Sequence, residues 1–148
     1  IKWYKKALLH DEKEAYGMLA YIYDGEGETE ESFRMAKRGR MMRDSSSVGF
    51  LGHYYEMRGE FENAWQCYKE QYDLFGVGAD GLAKIVIENN YLPKDVKTEE
   101  DKQHFYDNLE QLVEVQARNG NEECLKALLK FCSAYSYLFS SMFFLPNL

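Results

Sequence analysis

The chain is poor in the residues that staple, break or bend a fold. Its 148 residues hold three cysteines, two prolines and three histidines. Cys67, Cys124 and Cys132 form an odd set without a C-x-x-C pair, which excludes a disulfide framework and favours a reduced, cytoplasmic address over the periplasmic or secreted alternative. Cys124 and Cys132 stand eight residues apart, about 12 Å along one helix and beyond disulfide reach, and they read as buried packing thiols. Two prolines and 11 glycines are too few for the many turns of a β-sandwich or barrel. His10, His53 and His104 are scattered, with no metal-ligand spacing. No paired carboxylates, activated nucleophile or P-loop stand out, so no catalytic role, metal or cofactor is expected. A membrane span of roughly 18 to 20 apolar residues is missing as well. Residues 131–148 come nearest, but Ser133, Ser136, Ser140 and Ser141 interrupt them. Basic charge is also short: 18 Lys and Arg against 25 Asp and Glu give a net charge of −7. Phosphate neutralisation across the whole chain is thereby excluded, and nucleic acid is not an expected partner.

Apolar and aromatic side chains are plentiful, at 45% and 16% of the chain, so a packed core is within reach. They recur at a fixed interval. Ala15, Leu19 and Tyr23 follow Ala7, and Ser47, Leu51 and Tyr55 follow Gly39, 32 residues on. A further 32 residues bring Gln71 followed by Ala79, Ala83 and Ile87. Tyr4, Ala36 and Tyr68 share another slot, as do Phe33 and Trp65. A fourth register, Gln116 with Cys124, Leu128 and Cys132, fits if 13 extra residues fall in the charged segment around Pro93. Spacings of three and four place Ala15, Leu19 and Tyr23 on one helix face, and Phe61, Ala64, Trp65, Tyr68 and Tyr72 on another. Joints fall at Asp24-Gly25-Glu26-Gly27, at Asp44 to Ser47, at Arg58-Gly59 and at Asn119-Gly120-Asn121, and Thr29 and Ser45 to Ser47 offer hydroxyl caps. Period-two alternation is absent, and the short run Ile85-Val86-Ile87 falls inside a helical register. The expected fold is all-α, a solenoid of about four stacked antiparallel helix hairpins. Its divisions are 1–11 (the second half of a repeat, implying more repeats upstream), 12–43, 44–75, 76–120 with an insertion at 91–101, and a capping helix at 121–148.

Trp3-Tyr4-Lys5-Lys6-Ala7, followed by Ala15, Leu19 and Tyr23-Asp24-Gly25-Glu26-Gly27, resembles the Sel1-like repeat. Leu51-Gly52-x-x-Tyr55, Gly59 and Ala64-x-x-x-Tyr68 are similar to the related tetratricopeptide repeat. Ala20 and Lys84 stand where glycine is usual, and Gln71 where alanine is. The resemblance implies a scaffold or adaptor that holds a protein or peptide in the groove lined by its first helices. Carried over position by position, that groove takes Tyr21, Asp24 and Gly25, then His53, Glu56 and Met57, then Ile85, Glu88 and Asn89. Carboxylates beside Tyr, His and a pliable Met suit a basic, apolar peptide.

Three further features carry weaker expectations. The cluster Arg34, Lys37, Arg38, Arg40 and Arg43 reads as a solvated convex face rather than a nucleic-acid patch. Gly76-x-Gly78-x-x-Gly81 matches a dinucleotide fingerprint but follows an amphipathic helix, so an inter-repeat turn is the better reading. Leu128, Phe131, Tyr135, Leu138, Met142 and Leu145 form a stripe, with Tyr137, Phe139, Phe143 and Phe144 opposite. A helix apolar all round caps the array or associates with a second copy. The acidic balance supports one alternative class: an immunity- or antitoxin-type inhibitor that masks a basic surface.

Overall fold

The computed structural model describes residues 2–9, 12–127 and 129–130. Leu128 and the rest of its stripe from Phe131 to Leu145, the self-association expected of it, and Cys132 lie outside the described residues. Within them the chain is all-helical, without a strand. The helices are α1 (Lys2–Leu9), α2 (Glu14–Gly25), α3 (Thr29–Met41), α4 (Ser45–Met57), α5 (Phe61–Phe75), α6 (Ala79–Asn89) and α7 (Glu99–Arg118). Residues 122–127 are helical again. Two compact units divide the chain, Ile1–Gly78 and Ala79–Leu148.

In the first unit α2 packs on α3 and α4 on α5, and α4 also lies against both α2 and α3. Residues 32 apart occupy equivalent places in these two hairpins. Ala15 and Ser47 are both buried, Leu19 and Leu51 are inaccessible, and Tyr23 and Tyr55 are half-buried. Each hairpin turns through three residues, with Gly27 at φ +80° and Gly59 at φ +73°, backbone that an L side chain resists. Gly39 sets the spacing between hairpins. A Cβ there would lie 1.8 Å from Ser47 Oγ and 2.8 Å from Tyr16 Cβ, so α3 can meet α4 and α2 only through bare backbone.

Hydroxyl caps were expected, but a carboxylate does the work. Asp44, in extended backbone, caps α4 by accepting from the amides of Ser46 (3.3 Å) and Ser47 (3.0 Å). The Ser47 hydroxyl, expected as a cap, instead donates to Asp44 at 2.5 Å. Thr29 does not cap either: α3 starts after Glu28, which makes no side-chain cap bond. Asp44 Oδ2 also accepts from the amide of Gly17, 3.0 Å away in the first turn of α2. One buried carboxylate thus satisfies orphan amides at two helix N-termini, where helix dipoles favour negative charge. Gly17 has no side chain because a Cβ there would sit 2.6 Å from Asp44 Oδ2 and 2.5 Å from Ser46 Cβ.

The hairpins are also joined by Arg40 of α3, whose Nε and Nη2 donate to Oε2 of Glu70 on α5 at 2.9 Å and 2.5 Å. Hydrogen bonding to Glu70 raises the Arg40 pKa. Gln71 Nε2 donates to the Ser45 carbonyl at 3.1 Å, tying α5 to the start of α4.

The second unit packs α6 on α7 around Leu82, Ile85, Val86, Leu109, Val113 and Cys124. Residues 90–98 are irregular, and α7 begins at Glu99, so the end of the insertion expected at 91–101 is already helix. The reason is a capping box: Thr98 Oγ1 accepts from the Asp101 amide (3.0 Å), and Asp101 Oδ2 accepts from the Thr98 amide (2.9 Å). Asn121 begins the next helix, its Oδ1 accepting from the Cys124 amide at 3.0 Å.

Asp44→Ala leaves the Gly17, Ser46 and Ser47 amides without their acceptor and should cost about 3 kcal/mol of the first unit's stability in urea unfolding. Gly39→Ala, which drives a methyl group into Ser47, should cost on the order of 1–3 kcal/mol or more. Backbone bonds from Thr98 lower the pKa of Asp101. The stability it gives α7 is therefore present above the ordinary carboxyl pKa and lost as pH falls through the lowered one, which an acid titration of α7 amide protection would follow.

Candidate interaction face

The residues expected to line a groove divide between the two units, and each unit treats its share differently. In the first, α2 places Met18, Tyr21 and Gly25 at i, i+3 and i+7, and α4 places Phe50, His53 and Met57 at the same spacing. Tyr21 lies edge-on against Phe50, ring centroids 5.0 Å apart and planes at 90°. That contact joins the two helix faces. Phe50 is buried beneath it, whereas Tyr21 (47% exposed), Met57 (72%) and Met18 (42%) stay open, as do His53 and Asp24. Burial and the nearby Asp44 charge raise the Tyr21 pKa, so its hydroxyl remains a donor at neutral pH.

Glu56 departs from the expectation. It is buried, and its Oε2 accepts from the Tyr68 hydroxyl at 2.9 Å, inside the hairpin formed by α4 and α5. Tyr68 is buried, only 8% exposed as a residue, so its hydroxyl needs a partner, and Glu56 supplies the acceptor. Gly52 makes the room, since a Cβ there would lie 2.7 Å from the Tyr68 ring. Glu56 is a packing residue of the hairpin, not an open contact.

In the second unit Ile85 is wholly inaccessible and belongs to the core. Glu88 is exposed and pairs with Lys130 Nζ at 3.1 Å, and Asn89 is exposed at the end of α6. Hence Tyr21, Asp24, His53 and Met57 are exposed on α2 and α4 of the first unit, Glu88 and Asn89 are exposed on α6 of the second, and Glu56 and Ile85 are interior. Met18 was not singled out from the sequence, although its place three residues before Tyr21 on the same helix face was readable.

Other chemistries find little footing. Gly76 ends α5 at φ +69°, Gly78 follows at φ +98° and Gly81 lies within α6, so the motif is preceded by a helix, not by a strand. Among the described residues, no group of three or more His, Cys, Asp or Glu is placed to hold a metal. No described helix is long and apolar enough to cross a membrane. Cys67 and Cys124 are buried free thiols, and burial pushes both up to about 11. No protein-family model, curated protein or solved structure matches the chain.

A raised pKa leaves less thiolate at any given pH, so Cys67 and Cys124 should resist iodoacetamide at pH 8 in the folded chain. Peptide mapping after urea unfolding should find both alkylated.

Proposed function

We propose that this chain is a non-catalytic interaction module, a Sel1-like or tetratricopeptide-like solenoid of helix hairpins acting as a scaffold or adaptor. It binds a basic, apolar peptide or protein segment on the face shared by α2 and α4. The observation that carries the reading is that face itself. Met18, Tyr21 and Met57 are large apolar side chains left open beside the carboxylate of Asp24 and the imidazole of His53. Exposed Met and Tyr above a packed Phe50 offer adaptable apolar contact on a rigid base, and Asp24 selects cations. The 32-residue register supports the solenoid, because equivalent slots of the two hairpins of the first unit hold the same small or apolar residues in the same state of burial.

A labelled helical peptide of lysines and leucines tests this directly. Tyr21→Ala or Met57→Ala should weaken its binding about tenfold, and Asp24→Lys should abolish it, with helix content unchanged. Binding insensitive to all three substitutions would sink the reading. The acidic-inhibitor reading gains if Glu99→Lys and Glu100→Lys, at the exposed start of α7, abolish a basic partner's binding while the α2 and α4 changes are silent.

A further inference from the structure

The end of α3 closes with the same backbone bonds as those of α2, α4 and α7 but differs from them in the residue at positive φ. Beyond α2, α4, α5 and α7 the residue at positive φ is glycine: Gly27 (+80°), Gly59 (+73°), Gly76 (+69°) and Gly120 (+89°). Beyond α6 it is Asn90 (+52°), of a type that tolerates this region. Beyond α3 it is Arg43, at +57°, where a long side chain is strained and glycine would not be. The turn itself is used, the Arg43 and Asp44 amides donating to the Arg40 and Gly39 carbonyls, but glycine would make it equally well. No hydrogen bond or ion pair of the Arg43 side chain among the described residues repays the choice of arginine. The guanidiniums of Arg43 and of Arg38, in the last turn of α3, are exposed and meet no partner among the described residues. The neighbouring cations are engaged: Arg34 with Glu31, Lys37 over the Phe33 ring, and Arg40 with Glu70.

Between the two unengaged arginines stand Met41, 84% exposed, and Met42, 46% exposed. Arg and Met are the residue types that protein interfaces collect, arginine for its planar fork and methionine for its pliable apolar surface. The surface is local. Glu26, Glu28, Glu30 and Glu31 crowd the opposite end of the same helix, so a broad polyanion or a membrane plane would meet repulsion there. A short acidic segment meets only the basic end.

We propose that the C-terminal end of α3 is a docking surface for an acidic, apolar protein segment, with Arg38 and Arg43 taking its carboxylates and Met41 and Met42 its apolar side chains. It lies on a different helix from the face offered by α2 and α4, and neither reading depends on the other.

The test uses the full chain and a fluorescein-labelled helical peptide of glutamates and leucines, with the lysine-leucine peptide as the opposite probe. The acidic peptide should bind, release on addition of salt, and lose about tenfold in affinity with Arg38→Ala and again with Arg43→Gly. Met41→Ala should weaken it several-fold. Arg43→Gly should also raise the melting temperature by a few degrees, because glycine relieves the strain while the contact is lost. That pairing of a firmer fold with weaker binding is what an arginine kept for a partner predicts. Three results overturn the proposal: no binding of the acidic peptide, binding unchanged in Arg38→Ala and Arg43→Gly, or a lower melting temperature in Arg43→Gly. Phosphatidylserine vesicles held as tightly as the peptide, and released by the same substitutions, would replace the protein segment with a membrane surface.

Discussion

Two helix N-termini brought together inside a protein need acceptors for their unpaired amides, and an anion serves best because each also points the positive end of its dipole at the other. Asp44 resolves this for α2 and α4. Its carboxylate accepts the Gly17, Ser46 and Ser47 amides and the Ser47 hydroxyl while almost excluded from water. Much of the first unit follows from that placement. Gly17 and Ser46 come close because the carboxylate lies beside both, and Gly39 must be bare because Ser47 sits above it. With those starts pinned, α4 lies against α2 and α3 at once, and the second hairpin is registered on the first.

The aromatic side chains occupy the space this registration leaves. Phe33 stacks on Tyr54 at 4.7 Å and meets Tyr55 edge-on, and Phe50 lies between Tyr21 and Tyr54. Rings at such distances hold their geometry better than flexible chains, so the α2 and α4 face rests on a stiff base. Polar groups beside this packing are met internally: the Tyr68 hydroxyl donates to Glu56, and the Gln71 amide donates to the Ser45 carbonyl. Among the described residues no buried side-chain polar atom lacks a partner. The open residues are therefore a feature of the surface, with the interior already satisfied.

The helices were legible in the sequence because three- and four-residue apolar spacing is a local property. Leu19 and Leu51 announced core faces 32 residues apart, and both are inaccessible. Less legible was what a polar residue would do once helices met. Glu56 and Asp24 hold the same slot of the register, yet Glu56 is drawn inward by the Tyr68 phenol and Asp24 stays in water. Ile85 shares a slot with Tyr21 and His53, but the second unit buries it. The hydroxyl caps proposed at Ser45 to Ser47 failed for a similar reason, since a carboxylate one residue earlier satisfies more amides than a hydroxyl can.

By itself the sequence determined the helical class, the 32-residue interval, the hairpin joints at Gly27 and Gly59, and the composition of the exposed surfaces. These rest on periodicity, backbone freedom and charge, which act over a few residues. Only the tertiary structure decided that Asp44 serves two helices, that Glu56 and Ile85 are interior, that Tyr21 leans on Phe50, and that Arg38 and Arg43 meet no partner among the described residues. Those outcomes depend on contacts between residues far apart in the chain, such as Gly17 with Asp44, and no local pattern records which groups will meet.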